Sequence, residues 1–217
     1  MYFKNRHEAG LKLAEKLEQY RYDNCVILAL SDGAVEVGEQ IADNLHCVLT
    51  MLLTENIEIP GEQLTFGTVD QDGTFVYNSG FSTGEREEYY GEFHGYLEEQ
   101  KREKLQRINR LLGDGGILDA DMLRDHTVIL VADGMGNGMV LEAAAEFLKP
   151  IRLEKLVVAT PIASVNAVDK MHIIADELHV LGVTDNFFDT NHYYEENSIP
   201  SHDDIIAKLN NNILHWR

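Results

Sequence analysis

The chain has 217 residues and carries 18 Lys and Arg against 37 Asp and Glu, a formal net charge of −19. This length is typical of one domain with a substantial core. So acidic a surface repels phosphate backbones and anionic lipids, which excludes nucleic acid and membranes as expected partners, although the acidity could also serve solubility alone.

Two cysteines, Cys25 and Cys47, lie in or beside apolar runs. The sequence shows no signal peptide and no long apolar segment. We therefore expect reduced core thiols in a cytoplasmic protein, and a disulfide between the two cysteines stays open. The histidines show no metal-ligand spacing, so no zinc site is predicted.

The first quarter of the chain alternates between helical and strand patterns. The predicted elements are a helix over 5–19 capped by Asn5, a strand over 25–30, a tight turn Ser31-Asp32-Gly33, a helix over 35–45 and a strand over 48–53. This alternation predicts a parallel sheet with right-handed crossovers.

The middle of the chain changes character. Turn pairs such as Pro60-Gly61 and Asp72-Gly73 bound short segments over 65–69 and 74–77, which predicts a hairpin or a mobile flap. Residues 85–112 are charged and helix-prone, although two glycines weaken the first half. A loop is expected over 113–125.

Residues 127–148 are the stretch around which the rest of the chain is organised. A buried strand over 128–131 leads into a turn with three glycines, and a helical pattern begins at Met139. This arrangement directs backbone N–H groups at an anion. No Lys, Arg, Ser or Thr stands between Asp133 and Val140.

The last third returns to alternation. We predict a strand over 155–160 ended by Pro161, a helix over 164–174, a strand over 177–183 and a last helix over 201–214 with a Ser201–Asp204 capping box. The fold class is α/β, a doubly wound and mostly parallel sheet with a flap and helical insert. We expect one domain over 1–217, with the insert at about 55–125.

Six segments in this order resemble the type I phosphoribosyltransferases, and more narrowly a bacterial group with a long flap or insert. They are FKNRHEAG (3–10), VILALSDGAVEVGEQIADNL (26–45), IPGEQLTFGTVDQDGTFVYN (59–78), VADGMGNG (131–138), VVATPIA (157–163) and YYEENSIPSHDDIIAKL (193–209). The resemblance implies the fold of that family and a site for phosphoribosyl diphosphate.

The resemblance also implies a role for each residue of the glycine-rich turn. In the family, two adjacent acids hold the ribose hydroxyls, and the following loop cradles the 5′-phosphate with backbone N–H groups and a threonine. Here Ala132 replaces the first acid and Asn137 the threonine. The implied phosphate-binding residues are Asp133, Gly134, Met135, Gly136, Asn137 and Gly138. Asp133 is also the candidate Mg²⁺ ligand, or else a cap of the helix that follows.

The positive charges of the family site are missing here. The diphosphate-loop position, Ser31-Asp32-Gly33, has Asp32 where the family has arginine, and the flap position Thr54-Glu55 replaces Arg-Lys. A diphosphate leaving group needs positive charge nearby, so these changes are adverse. Alternatively Asp32, Glu55 and Asp133 form an acidic cluster that binds a cation or an amine, or are simply solvated.

Three functions follow as hypotheses. The first is a phosphoribosyltransferase-fold protein with lost or much reduced transferase activity, which binds a small phosphorylated ligand or a protein partner. The second is an active enzyme that uses phosphoribosyl diphosphate and Mg²⁺ with an unknown acceptor; Lys4, Arg6, Lys101 or Arg102 would then supply the charge, across a homodimer interface in one version. The third is a protein-interaction module that uses the aromatic residues of 85–112. No cofactor other than Mg²⁺ is expected.

Overall fold

The computed structural model describes residues 1–62, 64–112 and 118–215, with side chains up to 212. The helices are α1 (Arg6–Lys16), α2 (Asp32–Leu45), α3 (Thr83–Leu112), α4 (Met139–Leu148), α5 (Val165–Ile174) and α6 (His202–His215). The strands are β1 (Cys25–Ala29), β2 (Val48–Met51), β3 (Thr54–Glu58), β4 (Thr65–Asp70), β5 (Phe75–Tyr77), β6 (Thr127–Val131), β7 (Lys155–Ser164) and β8 (Glu177–Thr184). The helix predicted up to residue 19 ends at Lys16 and is followed by a 3₁₀ turn.

Five strands form a parallel sheet in the order β2-β1-β6-β7-β8. Every residue of β1 and β6 is buried, as expected for apolar strands covered on both faces. Because β1 pairs with β2 on one side and β6 on the other, the chain reverses its direction of winding at β1. The prediction of a doubly wound, mostly parallel α/β fold is confirmed.

The predicted turn at 31–33 is wrong in detail. Ser31 is the N-cap of α2, and its hydroxyl accepts a hydrogen bond from Ala34 N at 3.0 Å. The helix therefore begins at Asp32, three residues before the predicted start. The diphosphate-loop position of the resemblance is a helix cap and first turn in this chain.

The predicted end of β7 at Pro161 is also wrong, because the strand continues to Ser164. The pairing of β7 with β6 stops at Ala159, so the missing N–H of Pro161 costs no bond to that strand. Pairing with β8 resumes at Ile162 and runs to the end of the strand. The extra residues carry Ser164 to the level of the glycine-rich turn.

The chain divides into two compact units. The first holds the parallel sheet with α1, α2, α5 and α6, and the second holds β3–β5 with α3 and α4. In the second unit, β3-β4-β5 form an antiparallel sheet, which confirms the predicted hairpin. Helix α3 has a non-helical residue at Phe93, between the two glycines that weaken its first half. The expectation of a single domain stays a prediction.

The opening segment pairs with the tail of the same unit. Phe3 N donates to Tyr193 O at 2.9 Å, and Glu195 N donates to Phe3 O at 3.0 Å. Asn5 caps α1 as predicted, accepting a bond from Glu8 N. Ser201 and Asp204 form the predicted capping interaction at α6. Among the helices of the described ranges, none has the length and apolarity to span a bilayer.

Candidate functional site

The glycine-rich turn is fastened to the end of β7. Met135 N donates to Ile162 O at 3.0 Å, and Ser164 N donates to Met135 O at 2.9 Å. The Ser164 hydroxyl also donates to Gly136 O, and it caps α5 by accepting a bond from Ala167 N. The N–H of Met135 is therefore committed to the fold, although the resemblance places it in the phosphate cradle.

Two glycines of the turn are required by their surroundings. A Cβ at Gly136 would lie 2.9 Å from the ring of Phe187. Gly138 has a φ of +70°, which disfavours other residues, and a Cβ there would lie 2.8 Å from Cδ of Lys170. Lys170 of α5 thus brings a cationic side chain beside the loop. Sequence reasoning missed it, because it lies outside every quoted motif.

Asp133 forms a buried ion pair with Arg6. Arg6 Nε donates to Asp133 Oδ2 at 2.7 Å, and the two residues are 3% and 7% exposed. The Ser31 hydroxyl donates to the other carboxylate oxygen at 3.0 Å. A Cβ at Gly33 would overlap this carboxylate and approach Arg6 Nε to 2.7 Å, so the pair requires glycine in the first turn of α2.

The tail of the chain completes the surroundings of Arg6. Its guanidinium donates to Asn191 Oδ1 at 2.7 Å and to Asn197 O at 3.4 Å, and it lies 4.6 Å from the centre of the Tyr194 ring. The Tyr194 hydroxyl donates to the backbone oxygen of Asp133 at 2.5 Å. Burial, and then the nearby charge of Asp133, raises the pKa of Tyr194. The opening motif and the tail motif of the resemblance therefore meet at Asp133.

Asp32 also has a partner. His202 Nδ1 lies 2.9 Å from Asp32 Oδ1, which joins the first turn of α6 to the first turn of α2. The side chain of His202 is partly buried, 17% exposed. Its Nε2 atom is buried and has no hydrogen-bond partner among the residues that the structure describes. Ser31 and Gly33 thus lie against Asp133, whereas Asp32 pairs with His202.

The flap position lies in the second unit. Thr54 and Glu55 begin β3, and Glu55 forms ion pairs with Lys104 at 3.3 Å and Arg107 at 3.1 Å. Both cations come from α3. Glu55 is thus paired within its own unit.

The acids of the candidate site do not form a cation-binding cluster. Over the described part of the chain, no group of three or more His, Cys, Asp and Glu could hold a metal ion. Asp133 is the one acid retained at the ribose position, and its carboxylate already faces a guanidinium. Mg²⁺ is usually held by one or two carboxylates together with waters and phosphate oxygens, and here the negative charge of the single acid is already matched by Arg6. The residues at Asp133 therefore do not fit the Mg²⁺ that the family implies.

The other cations considered from sequence lie elsewhere. Lys4 forms an exposed ion pair with Glu196, and Lys101 pairs with Glu98 on α3. Arg102 lines a shallow polar depression on α3. Of these four candidate cations, only Arg6 has a described contact with Asp133, the acid that corresponds to the family's ribose-binding position.

Comparisons with known proteins agree with this architecture. The family model described as "Phosphoribosyl transferase domain" matches residues 5–195. "Putative phosphoribosyl transferase MT0597" of Mycobacterium tuberculosis is 27% identical over 95% of this chain. The chain spans only 46% of that relative's length.

Solved structures show the same fold. The TT1426 protein from Thermus thermophilus has a TM-score of 0.73 and 26% identity, covering 100% of this chain and 99% of its own. The AQ2163 protein from Aquifex aeolicus has a TM-score of 0.50 at 13% identity, covering 85% of this chain and 76% of its own. Since the family model covers most of the sequence, the chain belongs to the phosphoribosyl transferase domain family.

Proposed function

We propose that this chain binds a small phosphorylated ligand at residues 133–138 and has lost most or all phosphoribosyl transfer. The observation that carries the proposal is the engagement of both Asp133 carboxylate oxygens, one by Arg6 and one by Ser31. A ribose hydroxyl would have to displace Arg6 from a buried pair. Breaking such a pair costs about 3–5 kcal/mol, which opposes binding of the sugar diphosphate.

The loop itself supports anion binding. No hydrogen bond described for this part of the chain uses the N–H of Gly136 or Gly138. Backbone N–H groups in such a turn bind phosphate whatever the side chains are. The Lys170 side chain beside Gly138 adds positive charge. A phosphate monoester of a sugar or nucleoside is the ligand class that these groups favour.

Calorimetric titration tests the proposal. We expect ribose 5-phosphate to bind, and phosphoribosyl diphosphate with Mg²⁺ to bind no more tightly, because Asp133 adds nothing for the ribose or metal. Asn137→Asp is the matched variant, since it places a negative charge on an exposed loop residue without changing its size. This variant should lose the binding.

Two results would contradict the proposal. If no phosphate ester binds, the proposal that residues 133–138 bind a phosphorylated ligand is wrong. Binding of phosphoribosyl diphosphate with Mg²⁺ at least tenfold tighter than that of ribose 5-phosphate, or release of diphosphate with any nucleobase, would contradict the proposed loss of transferase activity.

An active transferase is the second candidate function, favoured by membership of the family. The charge at the site also fits an active transferase better than the sequence suggests, because Asp133 is paired with Arg6 and Asp32 with the ionisable His202. The diphosphate-release assay described above distinguishes this candidate from the first.

An interaction module has less support. The aromatic side chains of α3, including Tyr89, Tyr90 and Phe93, pack on the core of their own unit around Phe66 and Leu97. A homodimer remains a proposal, which sedimentation equilibrium would test directly.

A further inference from the structure

Cys25 and Cys47 stand side by side at the start of two neighbouring strands. Val26 of β1 pairs with Val48 of β2 in parallel register, and the two cysteines immediately precede this pair. Neighbouring strands lie about 4.8 Å apart, and disulfides span Cα separations of about 4.4–6.8 Å. The backbone thus already holds the two cysteines within bridging range.

The two thiols are reduced, and they interact. Both cysteines are free and buried, with exposed fractions of 5% and 6%. The Cys25 thiol donates to Tyr20 O at 3.7 Å. The neighbouring Cys25 thiol, and then burial, raises the pKa of Cys47, whereas the neighbouring Cys47 thiol lowers the pKa of Cys25. Cys25 is therefore the thiol that more readily becomes the nucleophilic thiolate.

A cavity gives access to this pair. It has a volume of about 280 Å³ and opens to the surface, and both cysteines line it together with His46, Met122 and His126. The strands begin at this edge of the sheet, whereas the turn at 133–138 follows a strand end. Five residues of extended strand separate the two edges by about 16 Å. The cavity is therefore separate from the candidate phosphate site.

We propose that Cys25 and Cys47 form a dithiol site that is oxidised by small disulfides entering this cavity. The Cys25 thiolate attacks one sulfur of the disulfide R–S–S–R, which forms a mixed disulfide and releases the first thiolate. Cys47 then loses its proton and attacks the Cys25 sulfur, which releases the second thiolate. The protein loses two electrons to R–S–S–R, and the two thiol protons go to the two released thiolates, giving two R–SH.

The test uses native full-length protein and bis(2-hydroxyethyl) disulfide. Because the chain has only two cysteines, intact mass gives an unambiguous product. We expect both thiols to disappear together with a mass loss of about 2 Da, and dithiothreitol to restore them. Reaction only at the rate of global unfolding, or two adducts without a bridge, would overturn the proposal.

Single variants separate the roles of the two thiols. Cys47→Ser should trap one adduct on Cys25, because the resolving thiol is gone. Cys25→Ser should react at least tenfold more slowly, because burial still raises the pKa of the Cys47 thiol when Cys25 is gone. Equal reaction rates for the two variants would contradict the assigned order of attack. The mass measurement on the wild type tests disulfide formation even if neither variant folds.

Discussion

At the scale of single residues, Arg6 has the largest influence on the candidate site. Its Nε donates to Asp133, and its other two nitrogens donate to Asn191 and Asn197 in the tail. A buried cation with a partner at each donor is stable only as a set, since removal of one member strands the others. Arg6 thus joins the opening segment of the chain to Asp133 and to the segment around 191–197.

This predicts a large effect of Arg6→Met. The variant leaves the buried Asp133 carboxylate without its cation, so we expect a loss of about 3–5 kcal/mol in the free energy of unfolding. Lys4→Met is the matched control, because Lys4 lies in the same segment with an exposed ion pair, and it should change stability by less than about 0.5 kcal/mol. Urea unfolding followed by circular dichroism measures both.

A second variant separates the lost charge pair from lost packing. Arg6→Met combined with Asp133→Leu removes the stranded carboxylate and should be more stable than Arg6→Met alone. If Arg6→Met were as stable as the Lys4 control, the ion pair would not be what holds Asp133.

At the scale of elements, the starts of β7 and β8 are joined by a polar cluster around Glu177. Glu177 Oε2 accepts hydrogen bonds from Lys155 Nζ at 2.5 Å and from the Tyr20 hydroxyl at 2.7 Å. Gln19 and His179 lie within hydrogen-bonding distance of Glu177 Oε1. These bonds, first those from Lys155 and Tyr20, lower the pKa of Glu177 to about 2. The cluster thus links two strands to the 3₁₀ turn that follows α1.

The direction of this shift predicts a pH dependence. Because the folded-state pKa lies below the unfolded value of about 4.5, Glu177 stabilises the fold above that pH, and the contribution is lost as the pH falls toward 2. Glu177→Gln should therefore cost about 1 kcal/mol at pH 6, with the difference from wild type shrinking by pH 3. Urea unfolding at each pH measures it. Glu15→Gln, an exposed change on α1, should show no such trend, and a constant difference for Glu177→Gln would contradict the assignment.

The elements also show what sequence can and cannot predict. Local sequence was sufficient to predict β1, β6 and the cap at Asn5, because each depends on residues that are close together in the chain. The continuation of β7 through Pro161 depends on where an adjacent strand ends. The pair of Arg6 and Asp133 joins residues 127 positions apart, and no local spacing encodes it. The motifs named both residues, but only the fold shows that they bind each other.

At the scale of the whole molecule, a net charge of −19 coexists with paired acids at the candidate site. Asp133 is paired with Arg6 and Asp32 with His202, so the negative charge of these two acids is partly balanced close to the loop. The remaining acidic excess still repels anions over distances of about one Debye length, roughly 10 Å at 0.1 M salt. Binding of a phosphate at the loop must therefore overcome a general repulsion, and salt weakens that repulsion.

This balance predicts two separable effects of salt on thermal stability. Potassium chloride should raise the melting temperature by screening repulsion, equally in wild type and in Asn137→Asp. Inorganic phosphate at matched ionic strength should add a further rise in wild type only, because it binds the folded loop. At tenfold excess over the dissociation constant, the added stability is about 1.4 kcal/mol, or about 3–5 °C for a chain of this size. The same extra rise in Asn137→Asp would mean that phosphate acts through solvent exclusion and not at the loop.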